Sequence, residues 1–221
     1  TGLVGSEMCI RDSLYLMNRI KSLLACVEGG NDEMELAVQQ AADIYHGNFS
    51  LFQSLPDVWA IDQLHPIAPL HRLREKPTRR AVISDITCDS DGKIDRFVLG
   101  DGVSKTLPVH ELEATCDYYL GVFFVGAYQE TLGDLHNLFG DTNVVTVELQ
   151  DDGRFELMHE QEGDTVAEVL TYVEYEPRRL VDGFKAIVER AVHEGAIAPR
   201  DRREMIDAFK DSINGYTYFE H

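Results

Sequence analysis

One short segment, Asp85-Ile86-Thr87-Cys88-Asp89-Ser90-Asp91-Gly92-Lys93-Ile94-Asp95, restricts this chain more than any other. It sets a thiol among carboxylates directly after the apolar run Ala81-Val82-Ile83, which reads as a buried strand. Asp and Gly favour tight turns, so the strand must end there and the chain reverse. A thiol at a turn can give or take a proton, and clustered carboxylates can hold a cation. Plainer readings compete. Asp-x-Asp-Gly is by itself a turn signal, and the segment need be nothing more. A calcium loop with Gly92 at its sixth position puts Thr87 at the first and Val98 at the twelfth; neither supplies the carboxylate required. A zinc site is disfavoured because no Cys-x-x-Cys or His-x-x-x-His spacing accompanies Cys88.

Composition narrows the setting. The chain has 221 residues, 44% of them apolar, enough for one sizeable core or two small ones. A formal net charge of −19 argues against nucleic acid, whose phosphates demand a basic face. The same charge favours approach by a cation, although solubility alone accounts for most of it. No stretch is long and apolar enough to span a membrane, and no signal peptide is legible. Setting Cys9 aside leaves Cys26, Cys88 and Cys116, an odd set without framework spacing, which points to reduced thiols and a cytoplasmic location. Residues 1–13, TGLVGSEMCIRDS, show no amphipathic period and are expected to be a non-native, adaptor-like tail; a native flexible tail is the alternative.

Periodicity divides the remainder. Residues 14–46 read as two helices, with Leu16, Ile20, Leu23, Leu24 and Val27 on one stripe. Gly29-Gly30-Asn31-Asp32 breaks that run, and Met34, Ala37, Val38, Ala41 and Ile44-Tyr45 form the second stripe. Residues 49–159 read mainly as strands, at 49–54, 81–87, 96–99, 119–125, 144–149 and 155–158, interrupted by one helix over about 127–139. Asp151-Asp152-Gly153 is a hairpin turn. The last part is helical: Asp164 or Thr165 caps a helix through Tyr172, Pro177 starts a second, and Pro199 opens a third.

The segment Thr87-Cys88-Asp89-Ser90-Asp91-Gly92 resembles the active-site turn of pyridoxal-phosphate decarboxylases of the alanine-racemase/ornithine-decarboxylase structural group. More narrowly, the chain resembles the C-terminal part of the biosynthetic arginine decarboxylases. The resembling residues include Asn48 to Ser54, Pro56-Asp57, Trp59 to Leu64, Gly126-Ala127-Tyr128-Gln129-Glu130, His136 to Asp141, Gly163 to Val166 and Gly215-Tyr216-Thr217-Tyr218. The resemblance runs over residues 14–221 and matches about the last third of such an enzyme.

That resemblance implies an α+β fold: a C-terminal β-sandwich or β-barrel-like domain flanked by helical segments. Residues 14–47 would end an inserted helical bundle, 48–160 form the β-domain with the active-site turn, and 161–221 the helical C-terminal extension. The family's pyridoxal 5'-phosphate (PLP) α/β barrel and its Schiff-base lysine are absent from this fragment. Lys21, Lys76, Lys93, Lys105, Lys185 and Lys210 all lie in other contexts. The implied activity converts L-arginine to agmatine and carbon dioxide in polyamine (putrescine/spermidine) biosynthesis, with the fragment inactive alone. A decarboxylase for another basic amino acid such as ornithine and a non-catalytic β-plus-helix interaction module are the alternatives.

Residue roles follow from the same resemblance. Cys88 matches the catalytic thiol that protonates the substrate carbon once carbon dioxide has left, a task suited to a group whose pKa lies near working pH. Asp89 and Asp62 match substrate-binding carboxylates, able to grip a guanidinium fork, and Asp91, two residues on, is a further candidate because in extended chain it would share a face with Asp89. Tyr128 matches the aromatic residue beside the cofactor phosphate, where its hydroxyl can donate. His136 lies in a matching motif without a defensible role. The family further implies Mg2+, for which no ligand set is legible here. It also implies a homodimer or higher homo-oligomer whose active site is shared between subunits, with no nucleic-acid or membrane partner.

Overall fold

The computed structural model describes residues 42–220, apart from 101, 114 and 115, together with Tyr15, Arg19, Ile20 and Ser22. Most of the first helical pair expected from the sequence, and the tail before it, lie outside the described residues. Helix and strand are mixed, and the described strands close no barrel. The chain forms two compact units. One takes in 64–84 and 93–124 with the strand at 43–46; the other takes in 47–63, 85–92 and 125 onward.

The first unit is built on β3 (Arg79–Ser84), the centre of a four-stranded sheet. Its alternation buries Ala81 and Ile83, as a period of two requires. β1 (Asp43–His46) runs parallel to it, with Asp43 opposite Ala81. β4 (Lys93–Ile94) and β7 (Leu107–Val109) pair antiparallel with its two ends. β2 (Ile67–Pro69) pairs with β8 (Leu120–Val122), and β5 (Phe97–Leu99) with β6 (Gly102–Ser104). Ile67, Ile94, Phe97, Leu107 and Val109 join Ala81 and Ile83 in the core.

The strand at 43–46 corrects the helical reading of that stretch. Ile44 and Tyr45 continue the spacing of a helical stripe, but pairing with Ala81 to Ser84 of β3 satisfies the backbone instead. The Tyr45 hydroxyl also donates to the His110 carbonyl at 2.8 Å.

The second unit opens with α1 (Leu51–Ser54), where a strand was expected. Phe-Ser-Leu-Phe-Gln-Ser alternates well enough for a strand. However, the Ser50 hydroxyl accepts from the Gln53 N–H, and this cap starts a helical turn. Leu51 and Phe52 are therefore fully buried. α2 (Pro56–Ile61) begins on a proline and ends at Asp62 in left-handed conformation. The single helix expected over 127–139 is two pieces: α3 (Ala127–Thr131) and a 3-10 turn, His136–Leu138. Asn137 and Leu138 have φ of 55° and 62°, which no continuous helix tolerates.

β9 (Val144–Leu149) and β10 (Phe155–Gln161) form an antiparallel hairpin over a turn where Gly153 takes φ 82°. Three helices follow. α4 (Val166–Tyr172) carries a full capping box between Thr165 and Glu168. α5 (Pro177–His193) and α6 (Arg202–Asn214) pack through Phe184 stacked on Phe209, with centroids 4.2 Å apart. Val169, Val188 and Ile213 are the buried residues of this layer. Pro199 precedes α6 rather than opening it, and Asp201 is its N-cap.

The chain's end is tied back into the same unit. Tyr218 is buried and donates its hydroxyl to the Gly140 carbonyl at 2.8 Å. Asn48 exchanges two hydrogen bonds with the Phe219 backbone.

Candidate functional site

Asp85 organises the Cys88 turn. Its carboxylate is buried and accepts from three donors: the Leu51 N–H at 2.8 Å, the Thr87 N–H at 3.0 Å and the Thr87 hydroxyl at 2.8 Å. The Asp85 N–H donates to the Gly92 carbonyl at 2.8 Å, which closes the neck of the loop. Gly92 is obligatory, because a Cβ there would lie 2.1 Å from Asp85 Oδ1. So the first aspartate and the glycine of the segment shape it, leaving the residues between them to project.

Cys88 and Asp89 are then fixed by the 3-10 turn. The Asn137 side chain clamps Cys88 from both sides: Oδ1 accepts from the Cys88 N–H and Nδ2 donates to Sγ, each at 3.3 Å. His136 Nε2 lies 3.4 Å from Asp89 Oδ2. The imidazole is itself stacked on Phe52, with centroids 4.2 Å apart, and Phe52 meets Trp59 edge-on. The thiol is exposed and Asp89 half-buried.

Asp91 is exposed, and the backbone there is a turn rather than extended chain. Its N–H donates to Asp89 Oδ1 at 2.8 Å, which curls the backbone into a local Asx turn.

The other two sequence-derived residues sit on separate elements. Asp62 is the exposed left-handed cap of α2, its N–H turned back to the Asp57 carbonyl. Tyr128 lies on α3 and is 75% exposed. A buried side chain locks α3 to α2: Gln129 accepts from the Asp57 N–H at 3.1 Å and donates to Asp57 Oδ2 at 2.6 Å. Gly126, before α3, is extended, and a Cβ there would meet nothing within 4 Å. Among the described residues, no packing demands a glycine at 126.

Sequence reasoning missed Asn137 and left His136 unexplained, because both meet their partners across nearly fifty residues. A weak signal existed. Asn tolerates left-handed backbone, and an amide there has hydrogen bonds free to make. Among the described residues, no group of three or more His, Cys, Asp or Glu is arranged to hold a metal ion, and no helix is long and apolar enough to cross a membrane.

A thiol and a carboxylate are thus held on one turn, and a capped helical layer follows in the same unit. Residues 166–219 match the family described as the arginine decarboxylase C-terminal helical extension. The biosynthetic arginine decarboxylase of Rhodopirellula baltica is 49% identical over 209 residues, 94% of this chain and 31% of that protein. The protein of the same name from Phocaeicola vulgatus is 49% identical over 201 residues, 91% of this chain and 32% of that protein. The crystal structure of the biosynthetic arginine decarboxylase SpeA from Campylobacter jejuni superposes with a TM-score of 0.71 at 31% identity, over 95% of this chain and 36% of that one. By sequence and fold the chain is therefore similar to the C-terminal part of the biosynthetic arginine decarboxylases. It spans about a third of the length of the curated relatives it matches.

Proposed function

We propose that the chain is the C-terminal part of a PLP-dependent arginine decarboxylase, which turns L-arginine into agmatine and carbon dioxide for polyamine biosynthesis. The observation that carries this reading is the clamped Cys88–Asp89 turn, in a chain similar over nearly its whole length to proteins of that name. In this reading the strands belong to the β-sandwich or barrel-like domain after the PLP barrel. Residues 14–47 end an inserted helical bundle, and 161–221 are the extension.

Pyridoxal phosphate, when bound, supplies the electron sink that lets carbon dioxide leave. The residues here fit the phosphate end of that group. Tyr128 is exposed and the open backbone at Gly126 lies two residues before it, so these two would hold the phosphate. The lysine that carries the cofactor is assigned to the barrel outside this chain.

Cys88 holds the proton for the substrate carbon. Its exposed sulfur sits at the tip of a rigid turn, so delivery is directed to one face. Asp89 binds the guanidinium, since its half-buried carboxylate keeps lone pairs beyond those used by Asp91 and His136. Asp91 and Asp62 add negative potential around the cation. The Cys88 turn serves the site of the neighbouring subunit in a homodimer or larger homo-oligomer, and the enzyme is cytoplasmic. For Mg2+ the described residues offer no fitting donor cluster, and no step is assigned to it.

The test is a chimera in which residues 14–221 replace the matching third of the Rhodopirellula baltica relative. Cys88→Ala should lower kcat while the cofactor absorbance stays. Asp89→Ala should raise KM for arginine about ten- to a hundredfold, the worth of one charge-assisted bond. If both variants match the parent chimera in kcat and KM, the assignment fails.

A further inference from the structure

We propose that the cavity between α1, α3 and the start of β9 is a binding site for an organic cation: an ammonium or guanidinium group on a short aliphatic stem. The inference does not rest on the role given to Cys88. The cavity has a volume of about 320 Å³ and lies within the second unit. Its polar wall includes Gln53, Glu130, Asp141 and Thr142, and Val125 and Val144 are among its apolar residues. Tyr128, assigned above to a phosphate, is not in that wall.

The first observation is uncompensated negative charge. Asp141 and Glu130 face the cavity, and no Lys, Arg or His lines it. The Asp141 N–H donates to Asp164 Oδ2 at 2.8 Å, which brings a third carboxylate alongside. Burial, with Asp164 and Glu130 nearby, holds the Asp141 carboxyl above its ordinary range. A positive charge in the cavity relieves this crowding.

The second observation is an orphaned acceptor. Gln53 is only 6% exposed; its Nε2 donates to Asp141 Oδ1, while its Oε1 is buried without a hydrogen-bond partner. An ionised carboxylate only accepts, so it fixes the amide with the nitrogen toward Asp141, and the amide cannot turn over to satisfy its oxygen. Oxygen and nitrogen belong to one planar group, so the orphaned acceptor stands next to that carboxylate. Such a group costs free energy until a donor reaches it. A Cβ at Gly133 would lie 2.9 Å from Nε2, so the amide is enclosed on that side.

An ammonium carries three N–H donors and a guanidinium five, each with a positive charge, so either meets both needs at once. Val125 and Val144 offer apolar surface to a stem. An anion is repelled, and among the described residues no three His, Cys, Asp or Glu converge on a metal ion. The cation is either free in solution or borne by a Lys or Arg side chain beyond this chain, and the experiment separates the two.

The isolated chain, with its valine methyls labelled, is titrated with n-butylammonium and n-butylguanidinium while NMR follows Val125 and Val144. Both signals should shift saturably with at least one cation. They should stay in place with n-butanol and n-butyrate, which share the stem without the positive charge. Asp141→Asn keeps an acceptor for Gln53 Nε2 but removes the charge, and should weaken binding about tenfold or more. Glu130 is exposed, so Glu130→Gln leaves the fold intact and should weaken binding about two- to fivefold. The same titration of the Rhodopirellula chimera identifies the source. Binding retained there assigns a free cation; binding lost there but present in the isolated chain assigns a side chain of the remaining two thirds. No saturable shift in the isolated chain, an equal response to butanol, or unchanged affinity in the folded variants would overturn the proposal.

Discussion

At the scale of single residues, the Cys88 turn stands on a buried aspartate. Asp85→Ala would strand three donors that now share its carboxylate. The loss should be roughly 3 kcal/mol of unfolding free energy. Trp59 is the chain's single tryptophan and lies in the same unit, so its fluorescence during urea denaturation reads that loss directly. Tyr218 supplies the alkaline counterpart. Burial pushes its phenol well above the ordinary range, with Tyr216 and Asp141 adding to the effect. The folded chain thus favours the neutral phenol. Its contribution to stability is complete below the unfolded pKa and is lost as pH rises through the higher folded one. Tyr218→Phe leaves the Gly140 carbonyl without its hydroxyl partner and should cost about 1–3 kcal/mol near neutrality. The gap between wild type and variant should then close on titrating through the alkaline range. A gap that widens with pH would contradict the assignment.

At the scale of elements, local chemistry was legible where it acted within a few residues. Thr165 and Glu168 are three apart, and the expected cap is a complete capping box. Thr165→Ala should destabilise the C-terminal helical layer by about 1 kcal/mol, seen as faster amide exchange in α4 ahead of α5. Pro177 likewise starts its helix where a missing N–H does no harm. The misread elements are those decided at a distance. Phe49 to Ser54 alternates like a strand, yet Asp85 holds the Leu51 N–H from more than thirty residues away and stabilises a helical turn. Ile44 and Tyr45 keep helical spacing, yet β3 recruits them as a parallel neighbour. The site divides in the same way. Cys88 and Asp89 were readable from turn chemistry and family resemblance, whereas Asn137 and His136 gain meaning only once the chain has brought them to that turn.

At the scale of the whole molecule, the chain spans about one third of the length of the relatives it matches. In the reading proposed above, this part holds the thiol, the carboxylates and the tyrosine, and the cofactor-bearing lysine lies in the other two thirds. Activity should therefore require the remaining two thirds. The direct measurement is release of labelled carbon dioxide from carboxyl-labelled arginine, by the isolated chain and by the Rhodopirellula chimera, each with pyridoxal phosphate added. The isolated chain should release none, and the folded chimera should release it in proportion to enzyme added. Release by the isolated chain, or a folded, cofactor-loaded chimera that releases none, would contradict the reading.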